Sequence, residues 1–327
     1  MKAIKASGVG NPIDRIEGKL KVMGMAKYAS EFPVENKVYA QAINSTIAKG
    51  EIVSIDSTEA EKMAGVLAVI TYENAEKLKS FDEDMPAIGT SSIAPILQSN
   101  KVHYYGEYVG VVVAETFEQA QYAARLVKYT YKEETPEISL DKSRAKAYKP
   151  NDDSDYSRGD MDVGMKDADV TLNETYTTPI EHHHPMELHA IIASWNNGKV
   201  LAYSSQQIVD HSTVVISDTF QIPKSDVRVI AAYVGGGFGS KLTTERHVIL
   251  AVMAAKVVGK PVQLTVTRNQ MFTNTGMRQH NEQKMRIGAK KDGTLTALAH
   301  ETLSHTSSYL EYQEACGTVS KMLYKVP

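Results

Sequence analysis

Cysteine is nearly absent from this sequence of 327 residues, in which Cys316 stands alone. An intrachain disulfide is therefore excluded. The chain cannot hold an iron–sulfur cluster by itself, because such clusters need about four cysteine ligands. A structural zinc site built from cysteines is excluded for the same reason. Any redox chemistry would have to send its electrons to another chain.

Strong net charge and long apolar runs are also missing. The formal net charge is −3, which gives no bulk positive field for nucleic acid or an anionic membrane. The stretch 247–258 is the longest apolar run, and it contains Lys256 and is too short to span a bilayer. The first 20 residues lack the apolar segment of a signal peptide. We expect a cytoplasmic protein, with export alongside a signal-bearing partner left open.

The patterning predicts an α+β fold in two units, residues 1–150 and 171–327, joined by an aspartate-rich linker at 151–170. Apolar and β-branched runs predict strands, and the spacing of alanines over 117–128 predicts a helix. The predicted strands of the first unit are 38–42, 52–55, 66–71, 108–114 and 129–132. The second unit is predicted to have helices at 209–220 and 244–258, strands at 188–195, 200–204, 227–234 and 263–267, and a hairpin at 283–302.

A glycine-rich loop, Gly235-Gly-Gly-Phe-Gly-Ser-Lys241, follows the predicted strand 227–234. Glycine permits positive φ angles and lets the backbone approach a ligand closely. With a helix predicted immediately after it, the loop has the arrangement of an anion or cofactor cradle. The phosphate-binding pattern with Gly-Lys-Ser/Thr does not fit, and the dinucleotide pattern fails at Ser240. A tight turn without any ligand remains the alternative.

Several blocks in the same order resemble the molybdenum-binding subunit of the xanthine dehydrogenase/aldehyde oxidase family. Residues 14–29, 55–66 and 106–120 are similar to its hammerhead domain. In the second unit the matching blocks are 183–189, 205–207, 227–241 and 267–276. The resemblance implies an α/β hammerhead domain at 1–150, followed by a first molybdopterin-binding domain at 171–327 that is incomplete relative to the family.

The resemblance also implies a molybdenum–molybdopterin cofactor, possibly in its cytosine dinucleotide form. It implies a hydroxylase that oxidises an aldehyde or heteroaromatic substrate, takes its oxygen from water and passes electrons to iron–sulfur (2Fe–2S) and FAD partner chains. The family's general-base glutamate is expected beyond residue 327, so no catalytic residue is assigned. A second molybdopterin-binding chain, or a missing C-terminal half, is expected to supply the rest.

Site residues follow from the same resemblance. Gln207 matches the glutamine beside the metal's oxo ligand. Leu242 stands where purine-oxidising members carry an acidic anchor, which favours aldehydes or another apolar substrate. The remaining predicted cofactor-binding residues belong to the loop and are Gly236, Gly237, Phe238 and Gly239.

Alternatives remain at this point. The segment His182–His184 suggests a metal site, but alternate strand residues face opposite sides, which favours a structural role. Glu187 and His189 form either an acid/base pair or a buried hydrogen-bonded pair. For the whole chain, one rival is a non-catalytic cofactor-binding or assembly module, and another is a phosphate- or nucleotide-binding enzyme that uses the glycine loop.

Overall fold

A computed structural model describes residues 12–79, 96–150, 155–308, 311–312, 314 and 316–326. The helices before residue 150 are α1 (Gly18–Val22), α2 (Thr58–Glu61), α3 (Phe117–Leu126) and α4 (Leu140–Ser143), with 3-10 turns at Ala29–Glu31 and Arg144–Lys146. The strands of this part are β1 (Val38–Asn44), β2 (Gly50–Asp56), β3 (Val66–Thr71), β4 (Lys101–Val102), β5 (Tyr108–Ala114) and β6 (Lys128–Glu133).

The later part alternates strands and helices. Its strands are β7 (Val170–Thr178), β8 (Ala190–Asn196), β9 (Lys199–Ser204), β10 (Val227–Ile230), β11 (Val262–Thr265), β12 (Asn281–Ala289) and β13 (Leu295–Ser304). Its helices are α5 (Met161–Lys166), α6 (Val209–Phe220), α7 (Arg246–Val258), α8 (Arg268–Asn274) and α9 (Cys316–Leu323), with a 3-10 turn at Lys224–Asp226.

One seven-stranded sheet runs through the molecule in the order β10-β9-β8-β11-β1-β5-β3. Strands β1 and β11 pair in parallel, with Val38 opposite Val262, and so join the two predicted units into one sheet. Two smaller sheets have the orders β13-β12-β7 and β4-β2-β6. The division at residues 151–170 therefore stays a prediction, because the main sheet is built from both sides of it.

Helix α7 lies against this sheet, with most of its contacts to β8 and β11. Residues 247–255 are all buried, as expected of a helix that is apolar on every side. Gly259 follows in the left-handed conformation, with φ at 62°, and its N–H bonds to the carbonyl of Ala255. Glycine accepts that conformation without strain, which explains why the helix ends there.

The structure corrects two predicted elements beside the glycine loop. Strand β10 ends at Ile230 rather than at residue 234, and α7 begins at Arg246 rather than at Thr244. Turns and irregular backbone occupy the residues between the loop and the helix. The expectation that a helix N-terminus directly follows the loop is therefore wrong, and backbone groups of the loop itself must provide any anion-binding capacity.

The predicted linker region holds more structure than its composition suggested. Within the described residues of 151–170 the chain forms α5, and β7 begins at Val170. The Asp160 side chain accepts hydrogen bonds from the backbone N–H groups of Asp162 and Val163, both 3.0 Å long, and so caps α5. None of the described helices combines the length and apolar character that a membrane crossing requires.

Candidate cofactor-binding site

Three residues of the glycine loop have positive φ angles. Gly236 is at 95° and Gly239 at 108°, a region that favours glycine. Phe238 is at 56°, which is uncommon for a side chain of its size. Its ring is 69% exposed, so packing against the protein does not explain this backbone conformation. Such a conformation at an exposed residue is typical of a functional loop.

The loop presents consecutive backbone donors that the protein does not use. The N–H groups of Gly236, Gly237 and Phe238 make no hydrogen bond to any part of the chain that the structure describes. By contrast, the N–H groups of Gly235 and Gly239 are bonded to side chains. Successive free N–H groups with alternating φ form a concave site for an anion. This supports a cradle rather than a simple turn.

Gln207, which follows β9, is held by the same loop. Its side-chain Oε1 accepts hydrogen bonds from the N–H groups of Gly239 (3.2 Å) and Lys241 (3.3 Å). The backbone N–H of Gln207 donates to the carbonyl of Lys241 at 2.7 Å. A Cβ atom at Gly237 would lie 2.3 Å from Oε1, so the glycine makes room for the amide. The Nε2 donor, which finds no acceptor within the described ranges, stays available for a ligand.

A buried ion pair lies under the loop. The Lys241 side chain is 0% exposed, and its Nζ is 2.8 Å from Oε2 of Glu187 and 3.1 Å from the Glu187 carbonyl. The same Oε2 accepts a hydrogen bond from the Gly235 N–H at 2.7 Å. Burial lowers the pKa of Lys241, while the adjacent Glu187 carboxylate opposes that change.

Two buried histidines complete the underside of the loop. His189 donates from Nε2 to the Ser240 carbonyl at 3.1 Å, and its ring stands perpendicular to that of His247, 5.7 Å away. Burial lowers the pKa of His189 to about 4 and that of His247 well below its ordinary value. Both rings are neutral at pH 7. His189 bonds to Ser240 and Glu187 to Gly235 and Lys241, so the two side chains form neither the acid/base pair nor the hydrogen-bonded pair considered from the sequence.

The segment His182–His184 is irregular rather than a strand, so the alternation assumed for it is wrong. After this segment, Arg268 donates to the carbonyls of Pro185 (2.8 Å) and Met186 (3.1 Å), which therefore bond to a side chain. The rings of His182 and His184 lie 5.2 and 4.1 Å from that of Phe272. Within the described residues no group of three or more His, Cys, Asp or Glu side chains is arranged to hold a metal ion.

Leu242 lies at the end of the loop and is 42% exposed. Its N–H donates to the Gly239 carbonyl at 3.1 Å, so the backbone of the loop fixes its position. Nearby segments also expose apolar side chains, since Met186 is 88% and Phe272 51% exposed. The loop therefore has apolar side chains around a polar backbone cradle.

Family models match both parts of the chain. Residues 23–135 match the a/b hammerhead domain of aldehyde oxidase and xanthine dehydrogenase, and residues 144–327 match a molybdopterin cofactor-binding domain. The chain belongs to the xanthine dehydrogenase/aldehyde oxidase family. The predicted fold class, a hammerhead domain followed by a molybdopterin-binding α+β domain, is confirmed.

Relatives within this family are similar over nearly the whole chain. The aldehyde oxidoreductase molybdenum-binding subunit PaoC of Escherichia coli K12 is 39% identical over 299 residues, which are 90% of this chain and 40% of that protein. A xanthine dehydrogenase molybdenum-binding subunit of Escherichia coli O157:H7 is 30% identical, over 96% of this chain and 44% of that protein. The chain thus spans less than half the length of these relatives.

Solved structures agree with the family assignment. The aldehyde oxidoreductase of Desulfovibrio gigas superposes with a TM-score of 0.76 at 25% identity, over 89% of this chain and 34% of that one. Quinoline 2-oxidoreductase of Pseudomonas putida 86 superposes with a TM-score of 0.78 at 21% identity, over 90% of this chain and 39% of that one. This similarity shows that the two proteins share a fold.

The residues present fit a molybdopterin group of this family. Three free backbone donors and the Nε2 donor of Gln207 suit an anionic, oxygen-rich and sulfur-rich ligand. Gln207 and the loop, both assigned to the cofactor from the sequence, are in contact in the structure, and their role in binding stays a prediction. Sequence reasoning missed the ion pair of Glu187 with Lys241 and the role of Arg268. A lysine at the end of an otherwise apolar, glycine-rich run was the available indication, since such a lysine needs a partner when buried.

Proposed function

We propose that this chain is the cofactor-holding part of a molybdenum hydroxylase that oxidises an aldehyde with water as the oxygen source. The observation that carries the proposal is the row of free N–H groups at residues 236–238 beside the unused Nε2 of Gln207. A simple turn has no need of four unpaired donors at one place. A phosphate- or nucleotide-binding enzyme is disfavoured because Lys241, the one cation in the loop, is buried beneath it.

Each residue of the cradle has a proposed task. The N–H groups of Gly236, Gly237 and Phe238 donate hydrogen bonds to the cofactor, and the positive φ of Gly239 turns the backbone toward Gln207. The amide of Gln207 donates from Nε2 without adding charge near the metal. When bound, the cofactor, possibly in its cytosine dinucleotide form, supplies a Lewis-acidic metal and the redox capacity that the chain lacks.

An apolar substrate suits the residue at the end of the loop. Leu242 offers neither a charge nor a hydrogen bond from its side chain, so it gives no anchor for the polar ring of a purine. An aldehyde needs no such anchor, and a relative named as an aldehyde oxidoreductase is 39% identical to this chain. We therefore propose an aldehyde, with Leu242 lining the substrate pocket.

Electrons must leave through other chains in this proposal. The single cysteine cannot ligate a cluster, so iron–sulfur and FAD partner chains are proposed to accept them. Relatives described as molybdenum-binding subunits support an assembly of several chains. The general base is proposed to come from outside residues 1–327.

A substrate screen on the assembled complex tests the proposal. We expect turnover of aldehydes with an artificial electron acceptor and little turnover of xanthine. Gln207→Glu keeps an acceptor for Gly239 and Lys241 but removes the Nε2 donor, and should lower turnover. Gly317→Ala is the matched control, because a Cβ there meets nothing within 4 Å. A complex that contains cofactor but oxidises no aldehyde or heteroaromatic compound would support the non-catalytic alternative instead.

A further inference from the structure

The two ends of the glycine loop are connected through one side chain. Oε2 of Glu187 accepts from the N–H of Gly235 at 2.7 Å and from Nζ of Lys241 at 2.8 Å. The Glu187 backbone contributes as well, because its N–H donates to the Gly235 carbonyl at 3.0 Å and its carbonyl accepts from Lys241 Nζ at 3.1 Å. Glu187 therefore fixes both the first and the last residue of the loop.

The position of Lys241 in turn determines where Gln207 lies. The backbone N–H of Lys241 donates to Oε1 of Gln207, and its carbonyl accepts from the Gln207 N–H. A shift of Lys241 would therefore move the amide that we place beside the cofactor. Glu187 thus contacts Lys241, and Lys241 contacts Gln207, so the three residues form one series of hydrogen bonds.

Stability alone does not account for this pair. The side chains of Lys241 and Glu187 are 0% and 12% exposed, and burial of two ions carries a large desolvation penalty. Well-packed apolar residues of similar volume are often as stabilising as a buried ion pair, or more so. Unlike apolar residues, the ion pair has directional bonds that define where the two loop ends stand.

We propose that Glu187 and Lys241 are positioning residues, which hold the loop 235–241 and Gln207 in the geometry that retains the molybdenum cofactor. This inference rests on the proposed function. It assigns to these residues no contact with substrate or metal. Their effect on the cofactor is transmitted through Gly235 at one end of the loop and Gln207 at the other.

Paired variants of the assembled complex separate positioning from stability. In Glu187→Met/Lys241→Met both charges are removed together, so neither is left unpaired, and we expect thermal unfolding near that of the wild type. Molybdenum should nevertheless be lost roughly ten- to a hundredfold faster during dialysis, as is typical when supports of a metal site are removed. Arg246→Met is the control, because it breaks another ion pair of low exposure, with Glu107, and neither residue belongs to the loop 235–241. It should lower stability but not the retention of molybdenum.

A milder variant keeps the test decisive if the double variant does not assemble. Glu187→Gln retains an oxygen for the Gly235 N–H and loses only the charge. In the cofactor-free protein, we expect faster hydrogen exchange at the N–H groups of Gly239 and Lys241, which Gln207 otherwise protects. Wild-type exchange at both amides, or wild-type retention of molybdenum in the double variant, would overturn the inference. A wild-type complex without molybdenum would instead refute the proposed function itself.

Discussion

Gly237→Ala is a sharp perturbation of the candidate site. Its new Cβ would lie 2.3, 2.7 and 3.1 Å from the Oε1, Cδ and Cγ atoms of Gln207, and these are its three nearest neighbours. The φ angle of Gly237 is not in the positive range, so the backbone itself tolerates alanine. The clash is therefore with one side chain, and that side chain is exposed and free to swing into solvent.

The magnitude follows from the bonds that Gln207 would give up. Its Oε1 accepts two hydrogen bonds, of 3.2 and 3.3 Å. At about 0.5–1.5 kcal/mol for each bond, and toward the lower end for long bonds at an exposed acceptor, Gly237→Ala should cost about 1–2 kcal/mol of unfolding free energy. In the assembled complex it should also lower the molybdenum content, because the amide has moved away.

A double-mutant cycle in urea tests this reasoning. Gln207→Ala removes the atoms that clash, so in that background Gly237→Ala should cost close to nothing. Gly317→Ala is the control for a glycine-to-alanine change without a nearby atom. If Gly237→Ala is equally destabilising with and without the Gln207 side chain, the clash is not the cause and the proposed contact is refuted.

Three further predictions concern stability and retention. The pKa of His189 is lowered to about 4 in the folded protein, so as the pH falls below about 6.5 the unfolded chain takes up a proton before the folded one does. Protonation of this histidine should therefore lower the free energy of unfolding by about 2 kcal/mol between pH 7 and pH 5. In urea unfolding, His189→Gln, which keeps a donor for the Ser240 carbonyl, should weaken this pH dependence. Phe238→Ala should change the unfolding free energy by less than about 0.5 kcal/mol, because the ring is 69% exposed, yet lower molybdenum retention by metal analysis. Leu250 in α7 is 0% exposed, so Leu250→Ala should lower the free energy of unfolding by about 3 kcal/mol in the same assay. Val257 in the same helix is 51% exposed, and an equal loss with Val257→Ala would contradict the packing described.

The regular elements were predictable because their patterns are local. Helix α6 occupies the predicted residues 209–220, and β3 and β5 have the predicted bounds. Between the predicted strands 188–195 and 200–204, Asn197-Gly198 forms the turn, with φ angles of 50° and 78° that asparagine and glycine readily adopt. These features depend on periodicity and turn residues, which the sequence displays directly.

Features fixed by distant contacts were not predictable in this way. The pairing of β1 with β11 joins residues far apart in the chain, and no local pattern indicates it. The carbonyls of Pro185 and Met186, directly after the irregular segment His182–His184, are bonded by Arg268, which follows β11. The ion pair under the loop likewise joins Glu187 to a lysine 54 positions later. Resemblance identified the loop and Gln207, but the support beneath them became visible only in three dimensions.

Molybdenum content is the most direct measurement of the central claim. Inductively coupled plasma mass spectrometry should be applied to this chain purified in its assembled complex, from a host that makes the cofactor. We predict near-stoichiometric molybdenum with the wild-type chain and with Gly317→Ala, and much less with Gly237→Ala. A folded, fully assembled wild-type complex without molybdenum would contradict the account, because the loop and Gln207 would then lack the ligand for which their free donors are arranged.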